Sequence, residues 1–186
     1  KKHWLPYMGA GAVLSAALFT GCTNERLEDE LDFRKIGINS MQSGDYEGAV
    51  AAFNSALSQW VGKITDTELA ICYYKAAAQY AGGDIEGALA TYQAMIDYDE
   101  ENGNAYYQHG CLSLKQQDTD TAKKDFANAV KYNPDDYELY VGIYENLAGN
   151  NMTEEGEEYL NKAFDIKGNS AENLTWRGRI YYLLGQ

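Results

Sequence analysis

The sequence predicts an all-α fold: an α-solenoid of antiparallel helix pairs stacked as a superhelix, with about four pairs plus the first helix of a fifth. Three observations predict it. Columns of small and bulky residues recur at a common step of 34 residues. Within a unit, apolar residues fall at i, i+4, i+7 and i+8, the spacing of one helix face. Few prolines, many alanines and acidic residues ahead of the apolar runs suit capped helices.

The turn Gly44-Asp45-Tyr46 anchors the alignment. Gly83-Asp84-Ile85 follows 39 residues later; Gln117-Asp118-Thr119, Asn151-Met152-Thr153 and Gly185-Gln186 then follow at steps of 34. Ala49, Ala88, Ala122 and Gly156 form a small column. Phe53, Tyr92, Phe126 and Leu160 form a bulky one, and Ala56, Met95, Ala129 and Ala163 a third. Upstream of each turn stand Gly37, Ala76, Gly110, Tyr144 and Gly178. The pattern has a mechanical reason. Two antiparallel helices approach closely where a side chain is nearly absent, and a bulky residue of the partner fills the notch. One such pair cannot bury its apolar face alone, so neighbours stack.

The elements follow in order. Residues 1–21 read as an export signal, with basic Lys1, Lys2 and His3 ahead of an apolar run. Its strong stretch, Met8 to Phe19, has about 12 residues, where a helical membrane span needs about 20. The exit Leu18-Phe19-Thr20-Gly21-Cys22 resembles the lipobox of bacterial lipoprotein signal peptides, with Phe19 in place of the usual aliphatic. That resemblance implies a diacylglyceryl group on the Cys22 thiol, cleavage just before it, and a protein lipid-anchored on the extracytoplasmic face of the bacterial cell membrane. Two acyl chains anchor stably where one does not. An uncleaved anchor and plain secretion are the alternatives. Residues 22–30 are then a short charged tether, whose eight residues after Cys22 reach at most about 28 Å if extended.

Repeat one, residues 31–68, carries an insertion around Gln59-Trp60-Val61-Gly62-Lys63. Thr65 and Glu68 have the spacing of a capping box for the next helix. Repeat two spans 69–102 and repeat three 103–136, where Pro134 stops a helix. Asp45, Asp84 and Asp118 are natural N-caps, and Lys123, Lys124 and Asp125 fall mostly opposite the apolar face. Repeat four, 137–170, is degenerate: Tyr144 stands where a small residue belongs and Gly156 replaces alanine, which predicts looser packing. Residues 171–186 read as the first helix of a fifth repeat, in which Trp176, Ile180, Tyr181 and Leu184 have no partner helix. The reading is of a truncated protein with more repeats downstream; the alternative is that this helix serves as the terminal cap.

Phe126–Pro134 with Gly110 and Ala122, and Tyr46–Leu57 after Gly44-Asp45, resemble the tetratricopeptide repeat. The resemblance covers residues 30–186 and implies a concave groove, lined by first helices, that receives peptides or partner helices. On that face stand Arg34, Ile38 and Met41; Tyr73, Ala77 and Tyr80; Tyr107, Cys111 and Leu114; Val141 and Glu145; and Thr175, Arg179 and Tyr182. Some family members read a C-terminal carboxylate through a basic and asparagine clamp. Here only Arg34 fits, so that function is not supported.

Composition narrows the rest. The net charge of −13 becomes −15 once Lys1 and Lys2 are removed, leaving 13 basic residues against 28 acidic (13 − 28). Such a charge opposes binding to nucleic acid or to anionic lipid through a basic patch. Cys22, Cys72 and Cys111 form no metal-ligand spacing, and Cys72 and Cys111 read as small buried thiols within helices. His109 reads as a helix-packing histidine; His109 and Cys111 lie two apart and do not face each other. No catalytic constellation, phosphate loop or cofactor motif is present. The expectation is therefore a membrane-anchored interaction scaffold that binds a protein or peptide partner. The alternative is a recognition or accessory module of a longer envelope protein or enzyme.

Overall fold

A computed structural model of the protein describes residues 22–60 and 62–185. The expected export signal, residues 1–21, lies outside them. The described residues form nine helices and no strand: α1 (Cys22–Ser43), α2 (Tyr46–Gln59), α3 (Asp66–Ala81), α4 (Ile85–Tyr98), α5 (Gly103–Lys115), α6 (Thr119–Tyr132), α7 (Tyr137–Gly149), α8 (Thr153–Ala163) and α9 (Ala171–Leu183). Successive helices pair as α1/α2, α3/α4, α5/α6 and α7/α8, and α9 packs on α7. The chain divides into two compact units, with α1–α4 in the first and α5–α9 in the second.

The helices begin where the side chains cap them. Asp45 accepts from the Gly48 amide, Asp84 from Gly87 and Asp118 from Thr121. Thr65 and Glu68 form the capping box of α3. Asn102, Asp136 and Ser170 add caps for α5, α7 and α9. The turn column is visible in the backbone. Gly44, Gly83, Gln117, Asn151 and Gly185 have φ of 80°, 87°, 65°, 62° and 69°. Every repeat therefore turns through one left-handed residue, which glycine adopts without steric cost.

In the first unit the core gathers Ala49, Phe53, Ala56, Ile71 and Ala78, with Ile38 and Met41 packed against it. Gly37 is the notch for Phe53: a Cβ there would lie 2.5 Å from the Phe53 ring. The charged stretch 22–30 belongs to α1 and is helical. At 1.5 Å per residue its eight residues rise about 12 Å, which corrects the extended reach. Glu30, at its end, is only 4% exposed; burial, then the neighbouring Glu68 carboxylate, raise its pKa.

In the second unit one core cluster joins Leu114, Phe126, Leu139, Ile143 and Leu147, and another joins Tyr140, Val141, Leu160, Ile166 and Ile180. Three expectations change here. Repeat four accommodates its tyrosine through a notch on the other helix, where Gly156 faces Tyr144, and a Cβ on Gly156 would meet that ring at 3.0 Å. Asp125 does not face outward; it is 7% exposed and bonds to His109 Nδ1 at 2.7 Å. The four apolar residues expected to lack a partner on α9 and just after it are covered in part, while Leu174 and Tyr182 stay exposed. Ile180 is fully buried, Trp176 and Leu184 pack on the same cluster, and Tyr181 lies against Phe164 at 4.8 Å.

Candidate functional site

The first helices of the second unit, α5, α7 and α9, line a cavity of about 410 Å³. Its residues stand at corresponding positions of successive repeats: Asn104 with Glu138, Gln108 with Gly142 and Trp176, Tyr107 with Val141, and Glu145 with Arg179. Repetition thus places like positions side by side across three helices.

Tyr107 forms the inner wall. Its ring lies 6.2 Å from that of buried Phe126, and its hydroxyl accepts from Asn146 Nδ2 at 3.3 Å. Gly142 makes room for it: a Cβ at that position would stand 2.5 Å from the Tyr107 hydroxyl. Burial, then the neighbouring Cys111 and Glu145, hold the phenol well above its ordinary pKa, so it stays a neutral hydrogen-bonding group. Arg179 spans α9 to α7, with its guanidinium 2.7 Å from Glu145 and 5.3 Å from the Trp176 ring. Asp136 caps α7 through the Leu139 amide and also lines the cavity.

The expected groove residues divide. In the second unit Tyr107 and Arg179 line the cavity, and Tyr182 is 82% exposed. Leu114 is 2% exposed and sits in the core, so it offers no surface to a partner, and Cys111 is buried as well; Val141, itself largely buried, and Glu145 line the cavity. In the first unit Ile38 and Met41 are half-buried against the core, and Tyr73 leans on Tyr92. Arg34 lies 5.7 Å from the Tyr74 ring, and Tyr80 is 39% exposed. Cys22 is the first residue of α1. Asn104, Gln108, Glu138, Gly142 and Trp176 also line the cavity, outside the expected columns. The sequence does carry their signal, since 104, 138 and 172 are one step of 34 apart, as are 108, 142 and 176. A helical side chain covers the surface over the turn preceding its own Cα. On α5 the lining residues Asn104, Tyr107 and Gln108 lie in the first half of the helix, while on α7 and α9 the lining extends to Glu145 and Arg179. Leu114, seven residues beyond Tyr107 on α5, instead joins the cluster of Ile143 and Leu147.

The two cysteines with described side chains, Cys72 and Cys111, are free and buried, and burial pushes both thiols up to about 11. They are not nucleophiles at neutral pH. Among the described residues no group of three or more His, Cys, Asp or Glu is placed to hold a metal. Nor is any described helix long and apolar enough to cross a membrane.

Helix pairs with a 34-residue step, notched by small residues and turned through a left-handed residue, define an α-solenoid repeat protein. Residues 35–136 are recognised as tetratricopeptide repeats: two families of that repeat match, one over residues 35–105 and one over 103–136. Solved structures agree on the fold. A tetratricopeptide repeat protein from Parabacteroides merdae is similar at 14% identity and a TM-score of 0.60, over 85% of this chain and 61% of that one. MamA from Desulfovibrio magneticus is similar at 18% identity and 0.57, over 74% and 75%. YrrB, described as a tetratricopeptide protein with an unusual peptide-binding site, is similar at 19% identity and 0.55, over 80% and 74%. No curated protein matches the sequence.

Proposed function

We propose that this protein is a lipid-anchored interaction scaffold that binds a peptide or partner protein on the first-helix face of its repeats. The observation that carries the reading is the cavity between α5, α7 and α9, walled by Tyr107 and Trp176 and edged by polar side chains. Aromatic groups with polar tips supply large contact area and directional bonds, as binding surfaces do.

The anchor rests on the lipobox-like run that ends at Cys22, and it puts the repeats outside the bacterial cell membrane. With α1 starting at Cys22, a lipid on that residue would stand one short helical rise from the first repeat. Replacing Cys22→Ala and fractionating cells tests this. Loss of lipid and release from the membrane are expected, and an unlipidated variant that stays membrane-bound contradicts it. For the binding face, partners captured from membranes are compared between wild type, Tyr73→Ala/Tyr107→Ala and Gln108→Trp, the last filling the cavity from a half-buried position. Loss of the same partner in both variants is expected. Equal recovery by all three removes the assignment.

A further inference from the structure

We propose that the segment bound by the second unit's groove carries lysine or arginine side chains. This rests on the reading that the groove takes a polypeptide, and it names the chemistry of that ligand.

The groove is acidic beyond its own neutralisation. Asp136, Glu138 and Glu145 line it against the single guanidinium of Arg179, which Glu145 already pairs. A second cavity of about 340 Å³ adjoins it and shares Asp136, Glu138 and Trp176. It adds Asp135 and Glu172, and no lysine or arginine lines it. Glu138 and Glu172 are exposed and form no ion pair with any described residue. Their positions correspond in adjacent repeats, so the two carboxylates present one charged row.

Trp176 lines both cavities, and its ring already draws the Arg179 guanidinium to 5.3 Å, the kind of cation contact such a surface favours. The carboxylates are not gathered as a metal site, since no metal-holding group occurs among the described residues. An anionic or C-terminal carboxylate ligand meets repulsion from this rim, and the lone guanidinium is engaged. A basic segment meets the opposite field, which raises both encounter rate and specificity. The net charge of −13 adds long-range attraction of the same sign. Each exposed carboxylate pairs weakly. Discrimination therefore depends on several together and fades with salt.

The probe is an array of random-sequence peptides of about ten residues, long enough to cross three neighbouring helices. Wild-type protein is compared with Glu138→Gln/Glu172→Gln and with Glu154→Gln/Glu158→Gln, which makes the same charge change on α8. At about 50 mM salt, lysine and arginine should be enriched among bound peptides. Their binding should fall about five- to tenfold in the Glu138/Glu172 variant and less than about twofold in the α8 variant. Bound peptides with no basic enrichment, or equal losses in the two variants, overturn the proposal while the groove reading survives. If no peptide of any composition binds, the groove reading falls and takes the proposal with it.

Discussion

Gln117 holds a φ of 65° in a column where three of the other four residues are glycine. A left-handed residue with a Cβ costs about 1–2 kcal/mol, and glycine's extra chain entropy offsets about 0.5–1 of that. Gln117→Gly should therefore stabilise the protein by about 0.5–1 kcal/mol, read as a higher denaturation midpoint; an unchanged or lower midpoint contradicts the turn assignment. Glu30 makes a second residue-scale prediction. Its burial, then the Glu68 charge, raises its pKa despite Arg34; at Glu68 burial also pushes upward, but hydrogen bonds from Thr65, the Glu68 backbone and Glu30 together lower the pKa. A raised acid stabilises the fold below its ordinary pKa, and that share is lost as pH rises through the folded value. Glu68 behaves oppositely, losing its share as pH falls. An amide at position 30 donates to Glu68 at every pH. Glu30→Gln should melt higher than wild type near about pH 7.5, and the difference should shrink toward about pH 4. A pH-independent difference would sink this account.

At the scale of the element, the notch between paired helices decides how close they come. Gly37 receives Phe53 and Gly110 receives Phe126, whereas repeat four places the small residue at Gly156 and the ring at Tyr144. A single-column reading sees only a misplaced tyrosine and infers loosening. Physical complementarity is a property of the pair: Tyr144 brings the ring to the first helix, and Gly156, already in a small column, becomes its notch. Adding a methyl at Gly37 forces the fully buried Phe53 to move, at a cost of about 1–3 kcal/mol. At Gly178 a Cβ meets nothing within 4 Å, and alanine's better helix propensity should leave Gly178→Ala neutral or up to about 1 kcal/mol more stable. Gly156→Ala and Tyr144→Ala should each destabilise. Their combination should cost less than the sum, with a coupling of about 0.5 kcal/mol or more in a double-mutant cycle. Strict additivity would show that the two do not share a notch.

Across the whole molecule, the 34-residue step makes the helix pairs, turns and bulky columns legible in the sequence. Each is local chemistry repeated in place: a cap, a left-handed turn, a glycine opposite a ring. The binding face is less legible, because it depends on rotation about each helix axis and on height along it. On α5, Tyr107 and Gln108 line the cavity, whereas Leu114 near the helix end is buried. Glu145 and Arg179 share a column with Cys111, yet they line the cavity and Cys111 is buried. Spacing shows that a column exists; it does not say which of its members turn outward. Of the acidic rim, the sequence shows the net charge and the Glu138/Glu172 column, but not that Asp136 and Glu145 join it. The fold brings Asp136, Glu138 and Glu145 together beside one paired arginine.

The central claim is that this face holds the partner, and site-specific cross-linking tests it most directly. A photo-crosslinking phenylalanine derivative is placed at Gln108, which lines the cavity, and separately at exposed Glu158 on α8. Both proteins are expressed in cells and irradiated. The account predicts a discrete polypeptide adduct from position 108 and none from position 158. An adduct from position 158 alone, or equal adducts from both, would contradict it.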